Sequence, residues 1–153
     1  DAKKAVEKYR ERFTKIGLFE NHIYDGIEEL LKELTASHYQ LILATSKPHI
    51  YAKKILKFFH LDSYFSFLAG SELNGTRSKK GEVIAYALEQ YPILDRSQVL
   101  MIGDRKHDIL GAKENHLDSM GVLFGYGSRE EHLLAGADYI LESVEEMRKF
   151  FLT

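Results

Sequence analysis

The sequence predicts an α/β fold, an open and mostly parallel sheet with helices on both faces. Short, continuously apolar runs of strand length recur along the chain, and stretches of helical period separate them. Strands alternating with helices in this way cannot be joined by tight hairpins, so the strands run parallel and the helices cover them. With 153 residues, 44% of them hydrophobic, the chain has apolar material for one core and one domain.

In chain order, Ala5, Val6, Tyr9, Phe13 and Ile16 recur at helical spacing, and Gly17 is the expected stop. "DGIEELLKEL" opens with Asp25 and Glu28 in a capping-box pattern and puts Ile27, Leu30, Leu31 and Leu34 on one face. "QLILATS" (40–46) has the unbroken apolarity of a strand buried on both faces, and Pro48 suits the first turn of the next helix, "HIYAKKILKFF". The alternation then repeats: strand 64–70, helix "GEVIAYALEQY", strand 98–104, helix "KHDILGAKEN" and strand 118–125. Ser128 with Glu131 caps a short helix that Gly136 ends, "ADYILE" is a last strand, and Ser143 with Glu146 caps the final helix.

Charge and composition exclude several partners. A formal net charge of −2 lacks the excess of Lys and Arg that a nucleic-acid surface or an anionic membrane surface requires. No stretch approaches the length of a membrane span, and the first twenty residues lack the apolar core of a signal peptide. Absence of cysteine rules out disulfides and thiolate chemistry, and fits a cytoplasmic protein.

Ligands of open α/β sheets gather beyond the carboxyl ends of the strands. There stand Thr45, Ser46 and Lys47; Ser71 with the basic loop "NGTRSKKGE"; Gly103, Asp104 and Asp108; then Gly125 and Gly127. A hydroxyl, lysines and paired carboxylates are the parts needed to hold a phosphate and a divalent cation. Carboxylates are the hard ligands Mg²⁺ prefers, Thr45 and the Ser46 amide at a helix start suit phosphate oxygens, and lysine supplies compensating charge. Taken singly, Asp108 reads as a helix-capping residue, Lys80 as solvated surface and Thr45 as a strand-end hydroxyl. Asp104 resists such a reading, because an acid directly after "VLMIG" is a costly end for a buried strand. Arg105 and Lys106 read as surface charge, and His49, His107 and His116 have no metal-ligand spacing.

Together these motifs resemble the haloacid dehalogenase superfamily, in particular the subgroup of phosphoglycolate phosphatase and β-phosphoglucomutase. "LILATSKP" is similar to its second motif, through Thr45. "SKKGEVIAYAL" is similar to its third, through Lys80 with Lys79 as the competing choice, and "VLMIGDRKHDILGAKEN" to its fourth, through Asp104 and Asp108. The resemblance runs from about residue 20 to the C-terminus. It implies a Rossmann-like three-layer sandwich, with residues 1–20 the tail of a helical cap and 21–153 the core.

It also implies a Mg²⁺-dependent phosphatase acting on a small phosphorylated metabolite through an aspartyl-phosphate. Thr45, Lys80 and Asp108 would be catalytic, and Thr45, Ser46, Lys47 and Lys80 would bind substrate. Asp104 would ligate the metal, with Asp108 joining it or orienting Lys80. The family's nucleophile lies in a D-x-D-G-T motif on a first strand, which these residues lack: "DGI" (25–27) follows no apolar strand and "NGT" (74–76) has Asn in place of Asp. The resemblance puts that strand at the sheet centre, between those of Thr45 and Asp104. Without it both would lose a ladder partner and leave an open slot in the core. An N-terminal piece carrying the strand and most of the cap is therefore expected to have been left out, deleted or cut away.

A 5′-nucleotidase or sugar-phosphate mutase would share every motif above. A non-catalytic interaction module would suit a chain without the nucleophile. "GYGSRE" suggests a dinucleotide-binding turn, but Glu130 replaces the third glycine.

Overall fold

A computed structural model describes residues 23–92 and 95–153. The helix predicted at its start, and with it the cap remnant of residues 1–20, lies outside the described residues.

Among the described residues six helices and five strands alternate: α1 (Ile27–Ala36), β1 (Ile42–Pro48), α2 (His49–Phe58), β2 (Phe67–Ser71), α3 (Lys80–Glu89), β3 (Leu100–Gly103), α4 (Lys106–Glu114), β4 (Asp118–Val122), α5 (Arg129–Ala135), β5 (Tyr139–Leu141) and α6 (Val144–Leu152). Every strand pair is parallel, as the apolar runs predict. No helix among the described residues is long and apolar enough to cross a membrane.

The described strands form two sheets rather than one. β1 pairs with β2, and β3, β4 and β5 pair in that order. The helices span the division. α3 packs on β1 and β2, α4 on β3 and β4, and the two helices pack on each other. Side chains alternate along β3, as the pleat requires. Val99 and Met101 meet Ile84 and Ala112 of the α3–α4 layer, while Leu100 and Ile102 meet Leu30, Leu34 and Met147 of the α1–α6 layer. Between the facing edges of β1 and β3 runs an apolar slot of about 530 Å³, with Ile42, Ala44, Leu100 and Ile102 on its edges and Ile84 and Leu34 among its walls.

Several boundaries depart from the sequence reading. The α1 N-cap is Gly26, at φ +86°, and no side chain caps the helix, so Asp25 does not form the predicted box. Pro48 ends β1 rather than opening the first turn, because its extended backbone (ψ 132°) still pairs with Ser71. The 64–70 and 98–104 strands start later, since short 3-10 turns occupy Asp62–Tyr64 and Arg96–Gln98. The 118–125 strand stops at Val122. The caps are as read: Ser128 accepts from the Glu131 amide, Ser143 from that of Glu146, and Gly136 ends α5 at φ +86°.

Candidate active site

The second motif owes its shape to a mismatch in strand pairing. Ala44 pairs with Ala69 and Pro48 with Ser71, so β1 carries two more residues than β2 over the same interval. The surplus bulges, and a bulge re-aims side chains out of the ladder. Thr45, Ser46 and Lys47 occupy it and line a polar crevice of about 620 Å³. Thr45 Oγ1 accepts the Lys47 amide at 3.1 Å, and Ser71 Oγ donates to the Ser46 carbonyl at 2.9 Å. Ser46 is thus in a strand bulge, three residues before α2, and not at the helix start that the sequence reading gave its amide.

Lys80 is the first residue of α3, and Asp108 lies in the first turn of α4. They meet because the two helices cross closely: a side chain at Gly111 would have its Cβ 3.0 Å from the Gly81 nitrogen, and Asn115 Nδ2 bridges the Gly81 and Gly111 carbonyls at 2.9 Å each. Lys80 Nζ lies 2.9 Å from Asp108 Oδ1 and donates to the Ala44 carbonyl at 3.1 Å. The other Asp108 oxygen accepts the Arg105 amide at 3.2 Å. Asp108 therefore caps its own helix and holds Lys80 at once. Lys79 lines the same crevice as the exposed N-cap residue of α3, and the Asp108 contact belongs to Lys80.

Asp104 follows β3 directly and is held by the segment after β4. Its Oδ2 accepts the Tyr126 amide at 3.0 Å, and its carbonyl accepts the Gly127 amide at 2.8 Å. A Cβ on Gly125 would lie 2.5 Å from that Oδ2, and one on Gly127 2.1 Å from the carbonyl oxygen, so only glycine allows the approach. The "GYG" glycines serve Asp104 in this way, not a pyrophosphate. No described residue donates a hydrogen bond to the other Asp104 oxygen, which the crevice keeps available.

The basic loop is mostly turned elsewhere. Arg77 pairs with Glu72 at 2.8 Å and stacks on Tyr86, while Asn74–Thr76 is a tight turn with Gly75 at φ +88°. Two participants escape sequence reading: the Ala44 carbonyl, which has no side-chain signature, and Glu131. Glu131 accepts from Arg105 Nε at 3.0 Å, Arg105 Nη2 at 3.3 Å and the Lys106 amide at 3.1 Å. The Arg105 hydrogen bonds hold the Glu131 carboxyl below the usual carboxylate range, and Glu131 in turn holds the guanidinium above its own. Tyr24, beside the same site, has its phenol pushed up by burial, then by Tyr126 and Asp104.

A family model for the haloacid dehalogenase-like hydrolases matches residues 1–122. The chain belongs to that family. It is 46% identical over 127 residues to a 5′-nucleotidase of Pseudomonas aeruginosa, covering 83% of this chain and 57% of the relative. It is 37% identical over 127 residues to the tyrosine-protein kinase PtkA of Mycobacterium tuberculosis, covering 82% and 43%. To the phosphoglycolate phosphatase of Colwellia psychrerythraea it is 31% identical over 128 residues, covering 84% and 56%. The crystal structure of a predicted phosphatase from Clostridium acetobutylicum superposes with a TM-score of 0.93 at 46% identity, over 97% of this chain and 68% of that one. The chain thus spans about half the length of the curated relatives it matches.

Proposed function

We propose that the protein, at its full natural length, is a Mg²⁺-dependent phosphatase of small phosphomonoesters, and that this crevice is its phosphate and cation site. The observation that carries the reading is the convergence of Thr45, Lys80, Asp104 and Asp108 at the ends of β1 and β3, with Lys80 locked on Asp108 at 2.9 Å.

The donor set suits a divalent cation of the Mg²⁺ kind. No group of three or more metal-ligating side chains occurs among the described residues. Mg²⁺ needs fewer, since it binds through one or two carboxylates and fills its octahedron with water and substrate phosphate. Asp104 presents one oxygen for that purpose while the Tyr126 amide fixes the other. When bound, the ion would supply Lewis-acid stabilisation of phosphoryl charge. Asp108, with both oxygens engaged, serves as the group that orients Lys80.

The chain's own residues bind and neutralise. Thr45 and Ser46 line the crevice with the Thr45 hydroxyl as the phosphate donor, Lys47 adds charge at its rim, and Lys80 sets its ammonium where negative charge develops in phosphoryl transfer. Attack on phosphorus is the part these residues do not perform. The slot between β1 and β3 opens beside the same crevice, and a strand seated there would end next to Lys80 and Asp104, where an aspartate nucleophile belongs.

The 46% identity to a 5′-nucleotidase, against 31% to a phosphoglycolate phosphatase, favours nucleoside 5′-monophosphates within the substrate class. Phosphate release from a panel of nucleoside monophosphates, phosphoglycolate and sugar phosphates, with Mg²⁺ and with chelator, tests this. Release from a nucleotide only with Mg²⁺ is expected. Release from none of the panel would refute the phosphatase reading, and preference for phosphoglycolate would refute the finer one.

A further inference from the structure

Arg105 is a hazard to the site it adjoins. It follows Asp104 directly and lines the crevice, where the charges of Asp104 and Asp108 act on its guanidinium. A guanidinium released from its present partner so near Asp104 would compete with a cation for the Asp104 oxygen that carries no hydrogen bond. Glu131, in the first turn of α5, takes up that guanidinium through Nε and Nη2. Its position is itself fixed: Ser128 Oγ accepts the Glu131 amide at 3.1 Å, and Glu131 Oε2 also accepts the Lys106 amide. The side chain is mostly covered, at 19% exposure against 47% for Arg105, so it is the better-fixed member of the pair.

We infer that Glu131 is a positioning residue for cation binding, which draws the Arg105 guanidinium aside and so leaves Asp104 free to take the metal. The inference rests on the reading of Asp104 as the cation ligand. It assigns a task to a residue whose sequence pattern, three after Ser128, marks only a helix cap. Glu131→Gln is a selective probe: the amide oxygen still accepts from the Lys106 amide and the shape is kept, but the charge that holds Arg105 is gone.

Mn²⁺ titrated into the full-length protein and followed by electron paramagnetic resonance reads the site without any turnover. Glu131→Gln is expected to weaken Mn²⁺ binding about fivefold, the ceiling for one solvent-touched ion pair. Adding Arg105→Ala to it should restore binding to within about twofold of wild type, because the competitor is then absent. A purely structural role for Glu131 would leave the double variant as weak as the single one, and that result overturns the inference. Unchanged Mn²⁺ affinity in Glu131→Gln overturns it too, while the cation reading stands. Absence of any saturable Mn²⁺ signal in the wild type defeats the cation reading and this inference with it.

Discussion

Between β1 and β3 the protein holds two spaces of similar size and opposite chemistry. At the strand ends lies the polar crevice of about 620 Å³, and along the strands the apolar slot of about 530 Å³. In the crevice, Lys80, Asp108, Asp104 and Arg105 each have a partner within hydrogen-bonding distance, that of Arg105 being Glu131 beside it. In the slot, two strand edges face each other with no described strand between them. The polar side chains are thus tied down except for one Asp104 oxygen, while the strand edges along the slot have no described strand between them. Each polar residue is positioned by a helix start, a bulge or a glycine turn close to it, and none of these needs a strand between β1 and β3. The edge amides and carbonyls along the slot need partners of their own, from a strand, from side chains or from water.

The sharpest way to break this contrast is by truncation. Leu30 is 2% exposed between α1 and the β3–β5 sheet, and Leu30→Ala should cost about 2–5 kcal/mol. Leu88 lines the slot and is only half-buried, so Leu88→Ala should cost less than about 1.5 kcal/mol. Equal losses in urea denaturation would show that the slot is as well packed as the core.

Within the crevice, the Lys80–Asp108 pair carries the next largest effect. Their side chains are 15% and 8% exposed, so Asp108→Ala leaves a covered ammonium without its counter-ion and should cost about 3 kcal/mol. Replacing both, Lys80→Met with Asp108→Leu, should cost less than Asp108→Ala alone. Thermal unfolding of the two variants checks the order, and a greater loss in the double variant than in Asp108→Ala would mean that the two residues do not act as a pair.

The smallest effect separates a pinned carboxylate from a merely exposed one. Arg105 lowers the Glu131 carboxyl below its ordinary range, so the folded state binds this proton less readily than the unfolded chain does. The contribution of the Glu131 pin is therefore present above the ordinary glutamate range and is lost as pH falls through the lowered value. Carboxyl-carbon NMR should give Glu131 a midpoint below that of free glutamate. A midpoint at or above that of the free acid would remove the pin.

Legibility in the sequence divided along local and non-local lines. The Ser128 and Ser143 caps, the Gly136 stop and the Asp104–Asp108 pair are written within four residues, so pattern alone found them. The β1 bulge depends on pairing with β2, 25 residues away, and nothing in "LATSKP" announces it; hence Ser46 was read as a helix start. Glu131 was visible as a partner of Ser128, but its hold on Arg105 spans 26 residues and needs the fold. The missing strand is an expectation of the family resemblance; the described strands pair as two sheets, β1 with β2 and β3 with β4 and β5. The Asp25 cap failed for a local reason, because Gly26 took the cap position with a left-handed backbone.

The central claim is that the crevice binds a phosphomonoester with a divalent cation on Asp104. Its most direct test is Mg²⁺-dependent phosphate release by the full-length protein and by Asp104→Asn, a variant that keeps a side-chain oxygen to accept the Tyr126 amide but loses the charge. A loss of at least about a hundredfold is expected, the scale of removing one electrostatic stabiliser, with unfolding temperature little changed. Turnover near the wild-type rate in Asp104→Asn would contradict it.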